Sequence, residues 1–386
     1  MARRERSGRA ENDERISALS SIIGKDSAFR PAREILKRVR AVPTIFPDVD
    51  RKLRVGGWPI ERLATIHGPS SEGKTSFLHG LGLSFLQRGH FYVHVDAERT
   101  TPITWMESLF GQFADSPLFL AYRPPSFEET SDAVRAFLTT LAAARAKGKV
   151  PKDTTALIGI DSLRKLVPKD FLKKVAKEGV AKSSQKSGVD GMKGMGAAIK
   201  AKLNAAWIDE LTPLLDDTMS SMIFVGREME NTEGGEWDPD WKLGGGKAVY
   251  FDSSITARIE RKWVYGPGEK DERKPVYGER HGVAIRKTKV AGKEEKVVHA
   301  FFHTSNGVLV PPGFDRARDV VCVARDLDVL KGDGWLSWNR RRWNGEHAAT
   351  KFLTANPLVL AELEECCRAR FEIEGGRIVD GDGVVT

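Results

Sequence analysis

The stretch Gly68-Pro69-Ser70-Ser71-Glu72-Gly73-Lys74-Thr75, followed by Ser76, matches the pattern G-x-x-x-x-G-K-[ST]. These residue types suit one chemistry, the holding of a nucleoside triphosphate. Glycines let the backbone curl until successive N–H groups face one anion. A helix starting at Lys74 adds the partial positive charge of its N-terminus. Lys74 can reach the terminal phosphates, and the Thr75 hydroxyl can join the shell of Mg2+. Acids at the ends of apolar runs supply the rest. Asp161 closes TALIGI (155–160), and Asp96 and Glu98 follow FYVHV (91–95). Carboxylates so placed gather at the carboxyl edge of a parallel sheet, where open α/β folds bind ligand. Asp161 is read as an acid of the magnesium shell. Glu98 is read as the carboxylate that orients attacking water, with Asp96 in support.

The elements that must position these residues alternate. LATIH (63–67) is a buried strand leading into the glycine-rich turn. Phe77, Leu78, Leu81, Phe85 and Leu86 mark a helix over 75–88, with Gly89 as its stop. Ser126 and Glu129 form a capping pattern that opens a helix reaching Lys147. TALIGI and SMIFV (221–225) are further buried strands. Such alternation predicts a parallel sheet with helices on both faces. After residue 250 the signals are strands alone, so the sheet is expected to continue antiparallel. Val310-Pro311-Pro312-Gly313 marks a boundary, followed by a small unit with helix signals at 346–354 and 357–370. Upstream, 28–42 reads as a short basic amphipathic helix that needs a docking partner, either its own core or a neighbouring copy.

Composition narrows the class. The chain has 386 residues, 40% hydrophobic, with 61 Lys+Arg against 53 Asp+Glu and a formal net charge of +8. That supports a folded core and excludes whole-chain disorder. No run of 18 apolar residues exists, so no membrane span is expected. The opening residues lack the apolar stretch of a secretory signal. Three cysteines cannot build a disulfide framework or a four-ligand zinc site, and they suit a reducing cytoplasm.

Together these residues resemble the bacterial RecA recombinases. Gly56-Gly57-Trp58-Pro59, Arg62-Leu63, Ile66 and the phosphate loop are similar to the family's GG-x-P…R…I-x-GP-x-S-x-GKT. Asp96-Ala97-Glu98 is similar to its D-A-E element and Asp161-Ser162 to its strand-end D-S. Gly334-Trp335-Leu336-Ser337-Trp338, Ala349-Thr350-Lys351-Phe352-Leu353 and Asn356-Pro357 resemble its small C-terminal domain. The resemblance implies a RecA-like P-loop NTPase core: an α/β fold whose parallel sheet is extended by antiparallel strands. It also implies an N-terminal oligomerisation helix and a small α+β C-terminal domain. The expected division is a flexible segment at 1–27, the oligomerisation helix and linker at 28–50, the ATPase core with DNA-binding loops at 51–312, and the C-terminal domain and tail at 313–386.

The function this resemblance implies is that of a DNA-dependent ATPase. Such a protein forms a helical homo-oligomer on single-stranded DNA and pairs it with homologous duplex DNA. Its cofactors are ATP and Mg2+, and its place is the cytoplasm. Trp105 falls where the family has an aromatic that stacks on adenine. Lys287 and Lys289, two apart on a strand and so on one face, align with paired lysines that reach the neighbour's γ-phosphate. Without that alignment they read as an exposed basic edge. Residues 169–202 carry nine lysines and three acids and fall where the family has its first DNA-binding loop; Lys182, Lys186, Lys193, Met195 and Gly196 are its expected contacts, with a solvated helix and loop as the alternative. In the second loop (227–250) these are Trp237, Trp241, Lys242, Gly244, Gly245 and Lys247, although six acids there oppose phosphate binding. Arg340, Arg341 and Arg342, interleaved with Trp335, Trp338 and Trp343, are read as a duplex-gathering surface, with a tryptophan core and solvated arginines as the equal alternative.

Three departures from the family's pattern stand out. Gly226-Arg227 replaces an Asn-Gln pair whose Gln senses the γ-phosphate; Arg227 can still contact phosphate. Glu72 puts a negative charge inside the phosphate loop, which is unfavourable unless it points away. The acidic C-terminal tail is reduced. These suggest a divergent branch, either phage-encoded or a second copy. The competing functions are a hexameric helicase of the same fold and a DNA-coating or mediator protein without strand exchange.

Overall fold

The computed structural model describes residues 38–173, 189–230, 241–243, 247–265, 278–290, 298–304 and 313–371. In chain order the elements are β1 (Ala41–Val42), α1 (Pro47–Leu53), β2 (Trp58–Pro59), β3 (Leu63–His67), α2 (Lys74–Leu86), β4 (Phe91–Asp96), α3 (Ile103–Phe110), β5 (Phe119–Tyr122), α4 (Phe127–Ala146) and β6 (Ala156–Asp161). There follow α5 (Val189–Asp217), β7 (Ser221–Val225), β8 (Glu228–Glu230), β9 (Trp241–Leu243), α6 (Lys247–Asp252), β10 (Ile255–Tyr265), β11 (Gly278–Thr288), β12 (Val298–Thr304) and β13 (Gly313–Phe314). The last are α7 (Arg316–Asp326), β14 (Trp335–Trp338), β15 (Arg341–Asn344), α8 (Gly345–Ala355) and α9 (Pro357–Arg368).

Nine strands form one mixed sheet in the order β13-β12-β11-β10-β3-β7-β6-β4-β5. β10 through β5 run parallel, and β11, β12 and β13 extend the sheet antiparallel. The parallel strands read as continuous apolar runs because both faces are covered. Ile158 and Ile160 of β6 face a core with Phe127 and Leu138 of α4 and Trp207 and Leu211 of α5. Gly159, one residue out of phase, faces α2 instead. A Cβ there would lie 2.7 Å from the tip of the buried Leu78 side chain, which would have to shift to admit it. The strands at 63–67 and 221–225 match the expectation residue for residue, and the Ser126 hydroxyl accepts the Glu129 N–H at 3.3 Å to open α4.

Three expectations change in detail. Residues 28–37 of the expected amphipathic helix lie outside the described residues, and its end is extended: Ala41–Val42 pairs with Trp58–Pro59. Val42 precedes Pro43, and a residue before proline disfavours the helical region. β10 joins β3 in parallel, so antiparallel pairing begins one strand later than expected. Beyond residue 313 there is a helix without a clear sequence signal, α7, whose Val320, Val321, Val323 and Ala324 enter a separate apolar cluster with Leu336, Trp343, Leu353 and Leu363. α1 packs beside this cluster through buried charge: Arg368 donates to Asp50 at 2.8 Å and to the Thr44 carbonyl at 2.6 Å.

Candidate active site

The turn from β3 into α2 is the phosphate loop. Gly68 and Gly73 take φ of +148° and +89°, and a Cβ on Gly68 would collide with the Ile259 carbonyl. Both positions therefore require glycine. Lys74 opens α2, and its Nζ folds back onto the Pro69 carbonyl. Burial lowers the Lys74 pKa, partly offset by the Asp161 charge. A cleft of about 250 Å³ is lined by Ser71 to Ser76 together with Glu279 and His281 of β11.

The acids converge because β4 and β6 are parallel neighbours in register, with Asp96 opposite Asp161. The Thr75 hydroxyl donates to Asp161 Oδ2 at 2.6 Å. Burial lifts the Asp161 carboxyl from 3.8 to about 6, the Thr75 bond opposes this, and the Glu98 and Asp96 charges add to it. The Asp161–Ser162 peptide is cis. The Ser162 hydroxyl donates to Glu98 Oε1 at 2.8 Å, fixing an exposed carboxylate at the sheet edge. The Ala97 N–H donates to the Asp161 carbonyl at 2.7 Å, tying the two strand ends together. Asp96 is consumed in supporting this turn: it accepts from Arg123 Nε at 3.0 Å and from the Thr100 and Thr101 N–H groups. Arg123 is a contributor that sequence reading missed, since it carries no motif and lies 27 residues away in the chain. A hydroxyl beside a carboxylate is a hard-oxygen donor set, which fits Mg2+.

The two departures near the loop find partners. Arg227 Nη2 donates to Ser70 Oγ at 2.7 Å, so Arg227 does lie against the phosphate loop. Glu72 turns away, its carboxylate accepting the Arg261 N–H. Of the acids after β7, Glu228 is explained: it accepts from His67 Nδ1 at 2.9 Å and from Arg258 Nε at 2.7 Å. Burial alone would raise its pKa, but these hydrogen bonds and the Arg258 charge outweigh burial and hold it at about 2.

Other expected residues lie apart. Trp105 is half-buried on α3, edge-on to His79 with ring centroids 5.2 Å apart. Lys287 lies on β11, but Lys289 falls just past its end, so strand alternation does not place the pair. Both still reach one helix end, Lys287 Nζ donating to the Tyr250 and Phe251 carbonyls at 2.7 Å and Lys289 Nζ to the Phe251 carbonyl at 2.6 Å. Both close the C-terminal turn of α6 in their own chain. Lys182 and Lys186 lie outside the described residues, as do Trp237, Gly244 and Gly245. Lys193, Met195 and Gly196 fall on α5, Trp241 and Lys242 on β9, and Lys247 opens α6. The C-terminal tryptophans divide between the two alternatives. Trp343 is buried in the apolar cluster, whereas Trp335 is 52% exposed with the Arg342 guanidinium 4.9 Å from its ring centroid. Arg341 lies 5.7 Å from the Trp338 ring, and Arg340 turns the hairpin at φ +61°.

A parallel sheet carrying a phosphate loop at one carboxyl end and acids at two others, extended by antiparallel strands, is a RecA-like P-loop NTPase core. The chain as a whole is a distant relative of the bacterial RecA proteins. It is 24% identical over 369 residues to Protein RecA of Bifidobacterium breve, covering 95% of this chain and 83% of that one. To Protein RecA of Halalkalibacterium halodurans it is 23% identical over 370 residues, covering 95% and 93%. To that of Streptococcus agalactiae it is 23% identical over 365 residues, covering 93% and 85%. No protein-family model matches the chain. No described helix is long and apolar enough to cross a membrane.

Proposed function

We propose that this chain is a DNA-dependent, Mg2+-requiring ATPase that assembles a helical filament on single-stranded DNA and performs homologous pairing and strand exchange in the cytoplasm. The observation that carries the reading is the joining, at one sheet edge, of the phosphate loop to Asp161 through Thr75, with Ser162 tying Glu98 to the same strand end. The similarity to RecA along nearly the whole chain, C-terminal unit included, favours a recombinase over other P-loop enzymes.

In this reading the loop N–H groups and Lys74 hold the triphosphate, and Thr75 with Asp161 hold the metal shell. Bound Mg2+ neutralises charge that builds on the transferred phosphoryl group. Glu98, anchored by Ser162, orients and polarises the attacking water. Trp105 stacks on adenine, and Arg227 takes the sensing position beside Ser70. Lys287 and Lys289 serve the neighbour's nucleotide, for which they must leave the α6 carbonyls. The basic segment around Lys182, Lys186 and Lys193 and the 227–250 segment track the DNA backbone. Arg340, Arg341 and Arg342 gather duplex around exposed Trp335. Oligomerisation falls to 28–50, nucleotide and single-strand binding to 51–312, and duplex gathering to 313–386.

The test is electron microscopy of the protein with single-stranded DNA and a slowly hydrolysed ATP analogue. Open helical filaments are expected, because head-to-tail contacts that do not close give filaments. Closed hexameric rings would refute the recombinase and favour a motor.

A further inference from the structure

Glu72 is the one loop residue whose charge opposes a triphosphate, and its surroundings give it a different task. Its carboxylate accepts the Arg261 N–H on β10, beside an irregularity in the ladder between Arg261 and Trp263. Its carbonyl lies 3.1 Å from Nδ1 of His281, the residue paired with Arg261 across β10 and β11. His281 is 2% exposed, and its ring lies against Gly73, where a Cβ would come within 2.5 Å of Nδ1. Nε2 of the same ring is 3.3 Å from Glu279 Oε2, and Glu279 also meets Arg261 Nη1 at 3.2 Å. A carbonyl oxygen only accepts, so Nδ1 of His281 donates to Glu72.

The Glu72 carbonyl and the Gly73 N–H belong to one planar trans peptide and point in opposite directions. A ring that holds the carbonyl also aims the N–H away from itself. We infer that His281 and Glu72 are positioning residues of the phosphate loop: His281, braced by Glu279 and Arg261, fixes the Glu72–Gly73 peptide so that the Gly73 N–H is set for a nucleotide phosphate. This rests on the NTPase reading and deepens it. The loop is shaped not only by its own glycines but by a side chain 209 positions further along the chain.

The test uses the full-length protein, with equilibrium binding of Mg–ADP and a slowly hydrolysed ATP analogue beside steady-state hydrolysis. Removing a hydrogen bond that organises the loop, as in His281→Ala, is expected to weaken nucleotide binding about tenfold. KM should rise more than kcat falls, since the ring acts through the Glu72–Gly73 peptide. His281→Asn keeps a donor near the Nδ1 position and should recover most of the affinity. Glu72→Gln, which keeps an acceptor for the Arg261 N–H, should bind better than Glu72→Ala. A His281→Ala protein that binds nucleotide as the parent does overturns the inference. So does a His281→Asn protein no better than His281→Ala when the two share one thermal midpoint. If the parent itself binds no nucleotide, the NTPase reading fails along with it.

Discussion

Replacing Asp161 with asparagine should make the protein more stable and less active at once. Asp161 is buried at the end of β6, and burial lifts its carboxyl from 3.8 to about 6. A folded-state pKa above the unfolded one means that the folded chain binds the proton more tightly. Stability from this group is therefore present at low pH and is lost as pH rises from about 4 through 6. At about 1.4 kcal/mol per pKa unit, ionised Asp161 costs the folded chain about 3 kcal/mol at pH 7. The asparagine amide has no charge to bury, and its oxygen can still accept the Thr75 hydroxyl. Urea unfolding without nucleotide should show Asp161→Asn more stable by up to about 3 kcal/mol at pH 7 and nearly equal to the parent at pH 4. Mg2+-dependent hydrolysis should fall by orders of magnitude, because the metal shell loses its anion. In the parent, activity should rise between pH 5 and 7 as the carboxylate ionises. Equal stabilities at pH 7, or a variant with parental turnover, would refute the assignment.

Glu98→Gln keeps the acceptor for Ser162 but removes the base, so hydrolysis should drop by about 10²- to 10⁴-fold with nucleotide binding retained, whereas Lys74→Ala should impair both; phosphate release with and without DNA reads this. His94 is buried and burial holds its pKa at about 4, so the stability it contributes is complete above pH 6.5 and is lost as pH falls toward 4. Comparing urea midpoints at pH 7 and 4.5, His94→Phe should lose roughly 2–3 kcal/mol less than the parent on acidification, and identical losses would exclude the group. Neutralising Lys182, Lys186 and Lys193 together should flatten the salt dependence of single-strand binding by about 2 in log–log slope; an unchanged slope would return them to solvent.

The phosphate loop, the strands that bear the acids and the capped helix α4 were legible because each is a local pattern. Apolar runs of strand length, a glycine turn and a Ser–Glu spacing carry their meaning within a dozen residues. Helix α7 was not, since RARDVVCVARD packs its apolar residues into a short band between charges. The division of the C-terminal tryptophans was not legible either. The hairpin register pairs buried Leu336 with Trp343 and leaves exposed Trp335 opposite Asn344.

Residue order alone therefore determined that a glycine-rich phosphate-loop pattern, three acids at two strand ends and a hydroxyl would exist, and on which kinds of element. Folding decided their company. Asp161 gained its raised pKa only from burial beside Glu98 and Asp96, and Glu228 its lowered one from His67 and Arg258. Glu72 became compatible with an anion site only when β10 offered the Arg261 N–H to its carboxylate. Hydrogen bonds and charge interactions depend on distances across the sheet, which neighbouring positions in the chain do not encode.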